Sequence, residues 1–222
     1  MSASRFNLEP KKVIPWAATL ATGGLAAYFA GKSGQRGRQL EHHEKVERHL
    51  MYQATHDELT GELNRRGLAK LLAEGDQPPR AILRVDSTRL KEVNDNLGHG
   101  RGDEAIVATV QVLREGLRPD DIIARTGGDE FHVLLDPTRR RGHGSSSPDE
   151  VLVPVIERIG KQTQRLLGRE ENADLAEVGF DVAVGGAVWQ PGMSFEAVDV
   201  EADAALYRVK EAQHAAYGER PG

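Results

Sequence analysis

The sequence predicts an α/β sandwich of ferredoxin-like type, ordered βαββαβ with a further helix at each end and preceded by a transmembrane helix. Three observations predict it. From residue 57 onward, short apolar runs alternate with longer stretches of helical period. Two such runs flank the glycine pair Gly127-Gly128 in "ARTGGDEFHVLL". Finally, residues 13–31 carry no charge and lie between lysines. A length of 222 residues, 39% apolar and 28% charged, is ordinary for one globular domain with appendages.

A short tail, residues 1–12, leads into the uncharged run 13–31, which as a helix covers roughly 28 Å and can cross a bilayer. An uncleaved anchor is expected over a secretory signal, because Tyr28-Phe29-Ala30 supplies the small residues of a cleavage site poorly. Thr19, Gly23, Ala27 and Gly31 recur every fourth residue, a small-residue stripe suited to a helix dimer in the membrane. "AGKSG" resembles the end of a phosphate-binding loop, but Ala26 stands where the first glycine belongs and no strand precedes it. Residues 32–56 are a charged helical linker with Val46, Leu50 and Ala54 at four-residue spacing. Its histidines, His42, His43, His49 and His56, repeat no ligand geometry and read as a solvated face.

Within the domain, residues 57–217, the periods place a helix near 64–73, a strand at 81–86 and a helix near 102–117. Paired strands follow around 121–126 and 130–135, then a helix near 149–167, a strand at 180–188 and a helix near 199–216. "DPTRRRGHGSSSPDE", 136–150, reads as a surface loop, and 218–222 as a tail.

Composition removes several function classes. A net charge of -5 argues against coating nucleic acid. With no cysteine there is no disulfide, thiolate nucleophile or zinc-thiolate site, so any metal must sit on oxygen or imidazole. The apolar strand "AILRVD" ends in Asp86, where ligands gather in α/β sheets. Gly127-Gly128 signals a tight turn because both residues tolerate positive φ, so Asp129 is expected to emerge at the turn while Phe131, Val133 and Leu135 share one face. If the hairpin pairs beside the first strand, Asp86 and Asp129 converge, and two carboxylates without His or Cys suit Mg²⁺ held jointly with substrate phosphates. Alone, Asp129 and Glu130 would pass as turn residues.

They do not stand alone. "RTGGDEF", with "DELTGELNRR" at 57–66, "DSTRLKEVNDNLGHGRGDEAI" at 86–106 and "EADAALYRVKEA" at 201–212, resembles the GGDEF family of diguanylate cyclases over about residues 55–216. The resemblance implies condensation of two GTP into cyclic di-GMP by a homodimer, each 3′-hydroxyl attacking the other nucleotide's α-phosphate, with Mg²⁺ or Mn²⁺ as cofactor. It implies that Asp86, Asp129 and the Ser87 carbonyl hold the metal, that Asp129 helps deprotonate the hydroxyl, and that Glu130 assists. Asn94 and Asp103 are placed on guanine, His99 near the nucleotide, and Gly127 and Gly128 against the substrate. Lys91 and Lys210 serve as charges for the phosphates, and an irregular turn in "LKEVND" offers them backbone N–H groups. Arg118 and Asp121, an Arg-x-x-Asp pair upstream of Gly127, match the family's inhibitory cyclic di-GMP site.

The chain departs from the pattern at Thr88, Leu90 and Ala183, and at Gln213-His214, where the family carries Gly-Arg. A mostly neutral imidazole in place of a guanidinium weakens phosphate affinity. The expected protein is therefore a single-pass protein of the inner membrane with its cyclase domain in the cytoplasm, where GTP is found. The alternative is a degenerate domain that binds GTP or cyclic di-GMP as a sensor.

Overall fold

A computed structural model describes residues 42–75, 78–135 and 147–218. The membrane span expected at 13–31 lies outside the described residues; among those described, no helix is long and apolar enough to cross a membrane. Helix α1 covers residues 42–55, and the chain divides into two units between Met51 and Tyr52. On α1, Val46 and Leu50 of the expected seam are exposed at 40% and 57%, while Ala54 is half-buried.

The second unit runs β1 (Leu63–Asn64), α2 (Arg65–Glu74), β2 (Ala81–Thr88), α3 (Leu90–Leu97), α4 (His99–Gly116), β3 (Ile122–Arg125), β4 (Glu130–Leu135), α5 (Pro148–Leu167), a 3₁₀ turn (Glu170–Asn172), α6 (Ala173–Val178), β5 (Asp181–Val188) and α7 (Phe195–Gly218). The sheet order is β1-β3-β4-β2-β5. β1 lies parallel to β3 and every other pair is antiparallel. Without β1 this is the expected βαββαβ sheet, whose first and third strands are neighbours at its centre.

Alternation along β2 decides the layers. Ala81, Leu83 and Val85 join a large core with residues of α3, α4, α5 and β5. Ile82 belongs to a smaller core on the other face with Leu68 of α2 and Val198 and Ala202 of α7. Phe131, Val133 and Leu135 share the large core as expected, while Leu134 joins the small one, so β4 is buried on both faces. Two helices start with side-chain caps: Asn64 accepts from the Gly67 N–H at the start of α2, and Ser147 and Glu150 form a capping box on α5.

Two expectations need correction. "LKEVND" is not an irregular turn but the body of α3; the irregularity is one residue, Arg89, at φ 61°. Burial of Leu90 and Val93 at helical spacing overrides the loop-like polarity of the rest. The loop expected over 136–150 yields its last three residues to α5, because Pro148 suits a first helical turn and Ser147 caps it. The turn expected at Gly127-Gly128 is present, although neither glycine uses the positive φ that it tolerates. The hairpin closes instead through the Thr126 and Gly127 N–H groups, which both donate to the Glu130 carbonyl at 2.9 and 3.2 Å.

Candidate active site

The carboxyl end of β2 meets the hairpin and α7 at one junction. Asp86 pairs in register with Glu130 of β4 and Ala183 of β5, and its carboxylate lies 2.6 Å from Lys210 Nζ of α7. The Ser87 N–H donates to the Asp129 carbonyl at 3.0 Å, tying strand to hairpin, while the Ser87 hydroxyl is buried against Thr109 of α4 at 2.9 Å. Asp86 is 6% exposed. Burial pushes its carboxyl above the usual range; Lys210 opposes this, and the charges of Asp129 and Glu130 add to it. A buried carboxylate facing two further acids is a group that a cation would stabilise.

These donors fit Mg²⁺ in a particular way. Among the described residues, no group of three or more His, Cys, Asp or Glu side chains could hold a metal ion. Asp86, the hairpin acids and backbone oxygen are all hard donors, the type that holds Mg²⁺ jointly with substrate phosphates and water. Glu130 follows Asp129 in alternation, yet its register places it on the same sheet face as Asp86, so alternation does not remove it from the junction.

The remaining residues expected to meet the substrate lie on α3 and α4. Lys91 and Asn94 lie at (i, i+3) on α3, and His99 and Asp103 at (i, i+4) at the start of α4; Lys91, His99 and Asp103 are exposed and Asn94 is half-buried. Arg89 provides no side-chain cap for α3, whose first N–H groups lack intrahelical acceptors, an arrangement that phosphate oxygens can complete. Gly102 lies so close to Asn94 that a Cβ there would stand 1.9 Å from its Oδ1. The sequence gives no sign of that contact beyond a glycine inside a helix.

Arg118 and Asp121 are not part of this junction. They follow the C-terminal end of α4, a helix roughly 27 Å long from His99. Arg118 is exposed; Asp121 is 4% exposed, and its carboxylate accepts the Arg118 N–H at 2.8 Å. Of the departures, Thr88 donates its hydroxyl to the Asp181 carbonyl, Gln213 donates to the Asp181 carboxylate at 2.9 Å, and His214 is exposed. The Gln213 Oε1 is buried without a hydrogen-bond partner.

Several residues at the site were not singled out from sequence. Arg125 donates to the Gly128 carbonyl at 2.7 Å and pairs with Asp57, and Arg65 donates to the Thr126 carbonyl at 2.7 Å. Two guanidiniums thereby hold the carbonyls of the hairpin tip. Asp57 and Arg65 fall inside the "DELTGELNRR" block, which marked their importance without revealing what they touch.

Fold and site together define an α/β domain of palm-like type: a mixed five-stranded sheet with Asp86 at the carboxyl end of β2, two further acids on the adjoining hairpin, and the N-terminal end of α3 directly after the strand. The profile described as "Diguanylate cyclase, GGDEF domain" matches residues 54–216, and the chain belongs to the GGDEF family. It is 34% identical over 193 residues to the probable diguanylate cyclase DgcC of Escherichia coli K12, covering 83% of this chain and 47% of DgcC. It is 44% identical over 94 residues to the diguanylate cyclase TpbB of Pseudomonas aeruginosa, covering 40% of this chain and 22% of TpbB. The chain therefore spans about half the length of the first of these relatives and less of the second. Among solved structures, the coiled coil and GGDEF domain of DgcB from Caulobacter crescentus, in complex with c-di-GMP, matches at 29% identity and TM-score 0.61, covering 85% of this chain and 95% of that one.

Proposed function

We propose that this protein is a diguanylate cyclase, condensing two GTP into cyclic di-GMP and two pyrophosphates across a homodimer. The observation that carries the reading is the junction itself, where the buried Asp86 carboxylate meets Lys210 at 2.6 Å and feels the charges of Asp129 and Glu130. Mg²⁺ bound there would supply positive charge to the phosphate oxygens and favour the ionised hydroxyl. Asp86, Asp129 and the Ser87 carbonyl would hold it. Asp129, assisted by Glu130, receives the proton of the 3′-hydroxyl, whose oxygen attacks the α-phosphorus of the facing GTP as pyrophosphate departs. Lys91 and Lys210 balance charge on the phosphates, and Asn94 and Asp103 hold the guanine edge. Each domain holds one nucleotide, so two must face each other for in-line attack.

Product inhibition at Arg118 and Asp121, a membrane anchor at 13–31 and a cytoplasmic catalytic domain complete the proposal. Incubating the full chain with GTP and Mg²⁺ and resolving the nucleotides tests it. Cyclic di-GMP with pyrophosphate is the expected outcome. GTP or cyclic di-GMP binding without turnover would instead assign the chain to the sensor reading, which the His214 and Thr88 departures support.

A further inference from the structure

The sheet face that carries α2 and α7 is apolar at Ile82, Ala124, Leu134 and Ala187, but one step nearer the hairpin it becomes charged. Arg84 and His132 pair in register across β2 and β4, and His132 is only 5% exposed. The His132 Nε2 lies 2.9 Å from Asp199 Oδ1 of α7, and its Nδ1 lies 2.8 Å from the Thr126 hydroxyl. A ring proton on Nε2 serves Asp199 and leaves Nδ1 to accept from Thr126, whereas a bare Nε2 accepts from Arg84 and Nδ1 donates; in either tautomer the Thr126 hydroxyl is tied to the ring. Arg84 Nη1 lies 3.0 Å from the same Nε2 and 3.4 Å from both Asp199 oxygens. Its Nη2 reaches Asp203 at 3.2 Å and Glu130 at 3.9 Å.

Such a cluster is a poor way to gain stability, since apolar side chains of similar volume would fill the space as well or better. What it supplies is direction. Thr126 opens the hairpin: its N–H closes onto the Glu130 carbonyl, and its hydroxyl is fixed by His132. Asp199 belongs to the helix that carries Lys210, eleven residues or about three turns further on, so the two side chains leave the same helix face. Beside the cluster lies a cavity of about 1840 Å³, lined by Leu68, Trp189, Met193 and Phe195 among others. That cavity also borders Arg84, Thr126, His132 and Asp199, so hydrogen bonds as well as packing orient the hairpin base on that side.

We infer that Arg84 and His132 are positioning residues: through Thr126 and Asp199 they hold the hairpin bearing Asp129 and Glu130 in fixed relation to Lys210 on α7. The inference rests on the cyclase reading of the site. Thr126→Val removes the hydrogen bond to the ring while keeping the shape, and Thr126→Ser restores the hydroxyl. In the full chain, Thr126→Val should lower kcat roughly ten- to hundred-fold, the scale of a misplacement near 1 Å, with the KM for GTP and the melting temperature close to the parent's. Thr126→Ser should recover kcat to within about two-fold of the parent, because it keeps the oriented hydroxyl. Hydrogen exchange at the Thr126 and Gly127 amides should accelerate in the Val variant and not in the Ser variant. An inactive parent with this exchange pattern would overturn the cyclase reading and leave the positioning intact. Unchanged exchange in the Val variant, or a kcat loss that Ser does not rescue, would overturn the positioning inference.

Discussion

Gly102→Ala sets stability and substrate recognition against each other. Gly102 is buried in the second turn of α4, and an added Cβ would stand 1.9 Å from Asn94 Oδ1 and 2.9 Å from its Cγ. To regain ordinary contact at 3.4 Å, the Asn94 oxygen must retreat by about 1.5 Å. The Asn94 backbone cannot follow, because its carbonyl holds the Gly98 N–H at 3.0 Å, so the side chain swings alone. The helix gains up to about 1 kcal/mol from replacing glycine, since Ala restricts the unfolded backbone. With guanine placed on Asn94 as proposed, its recognition should lose roughly 1–3 kcal/mol or 5- to 150-fold in affinity. Thermal unfolding together with GTP titration of the full chain should therefore show an unchanged or raised melting temperature and a markedly raised KM. A KM within two-fold of the parent's in a folded variant would refute the placement of guanine beside Asn94.

Asp129→Ala and Asp86→Ala should each abolish cyclic di-GMP formation with little loss of fold; in Asp86→Ala a carboxyl whose ionisation burial opposes is removed, and circular dichroism with a turnover assay checks both. Gly185→Ala would place a Cβ 2.0 Å from the Leu206 N of α7 and should cost roughly 1–3 kcal/mol or more, because backbone cannot yield as a side-chain tip can; a melting temperature equal to the parent's would contradict it. Burial raises the Asp57 carboxyl, but hydrogen bonds from Thr60 and Arg125 and the Arg125 charge outweigh it, and the net pKa lies below the ordinary 3.8. Its stabilisation is therefore present above pH 3.8 and lost as pH falls through the lower folded value, so Asp57→Asn should flatten the acid limb of stability measured by denaturant titration.

The sequence by itself determined the elements and their order, because periodicity is local: apolar spacing in "AILRVD" or in 149–167 follows from which residues must leave water. It also determined the family, because the acids, glycines and asparagine of four blocks stand in fixed order. Only the tertiary structure decided what those residues touch. Lys210 lies on Asp86, Gly102 makes room for Asn94, and Arg84, His132 and Asp199 join two strands to a helix. The form of the turn at Gly127-Gly128 was decided in the same way. Local propensity favours positive φ there, whereas Arg65 and Arg125, arriving from α2 and β3, fix the carbonyls of that loop by contacts that periodicity does not encode. A pairing between residues far apart in sequence exists only once the sheet has brought them together, so the chemistry of the site was named in the chain and its geometry was made by the fold.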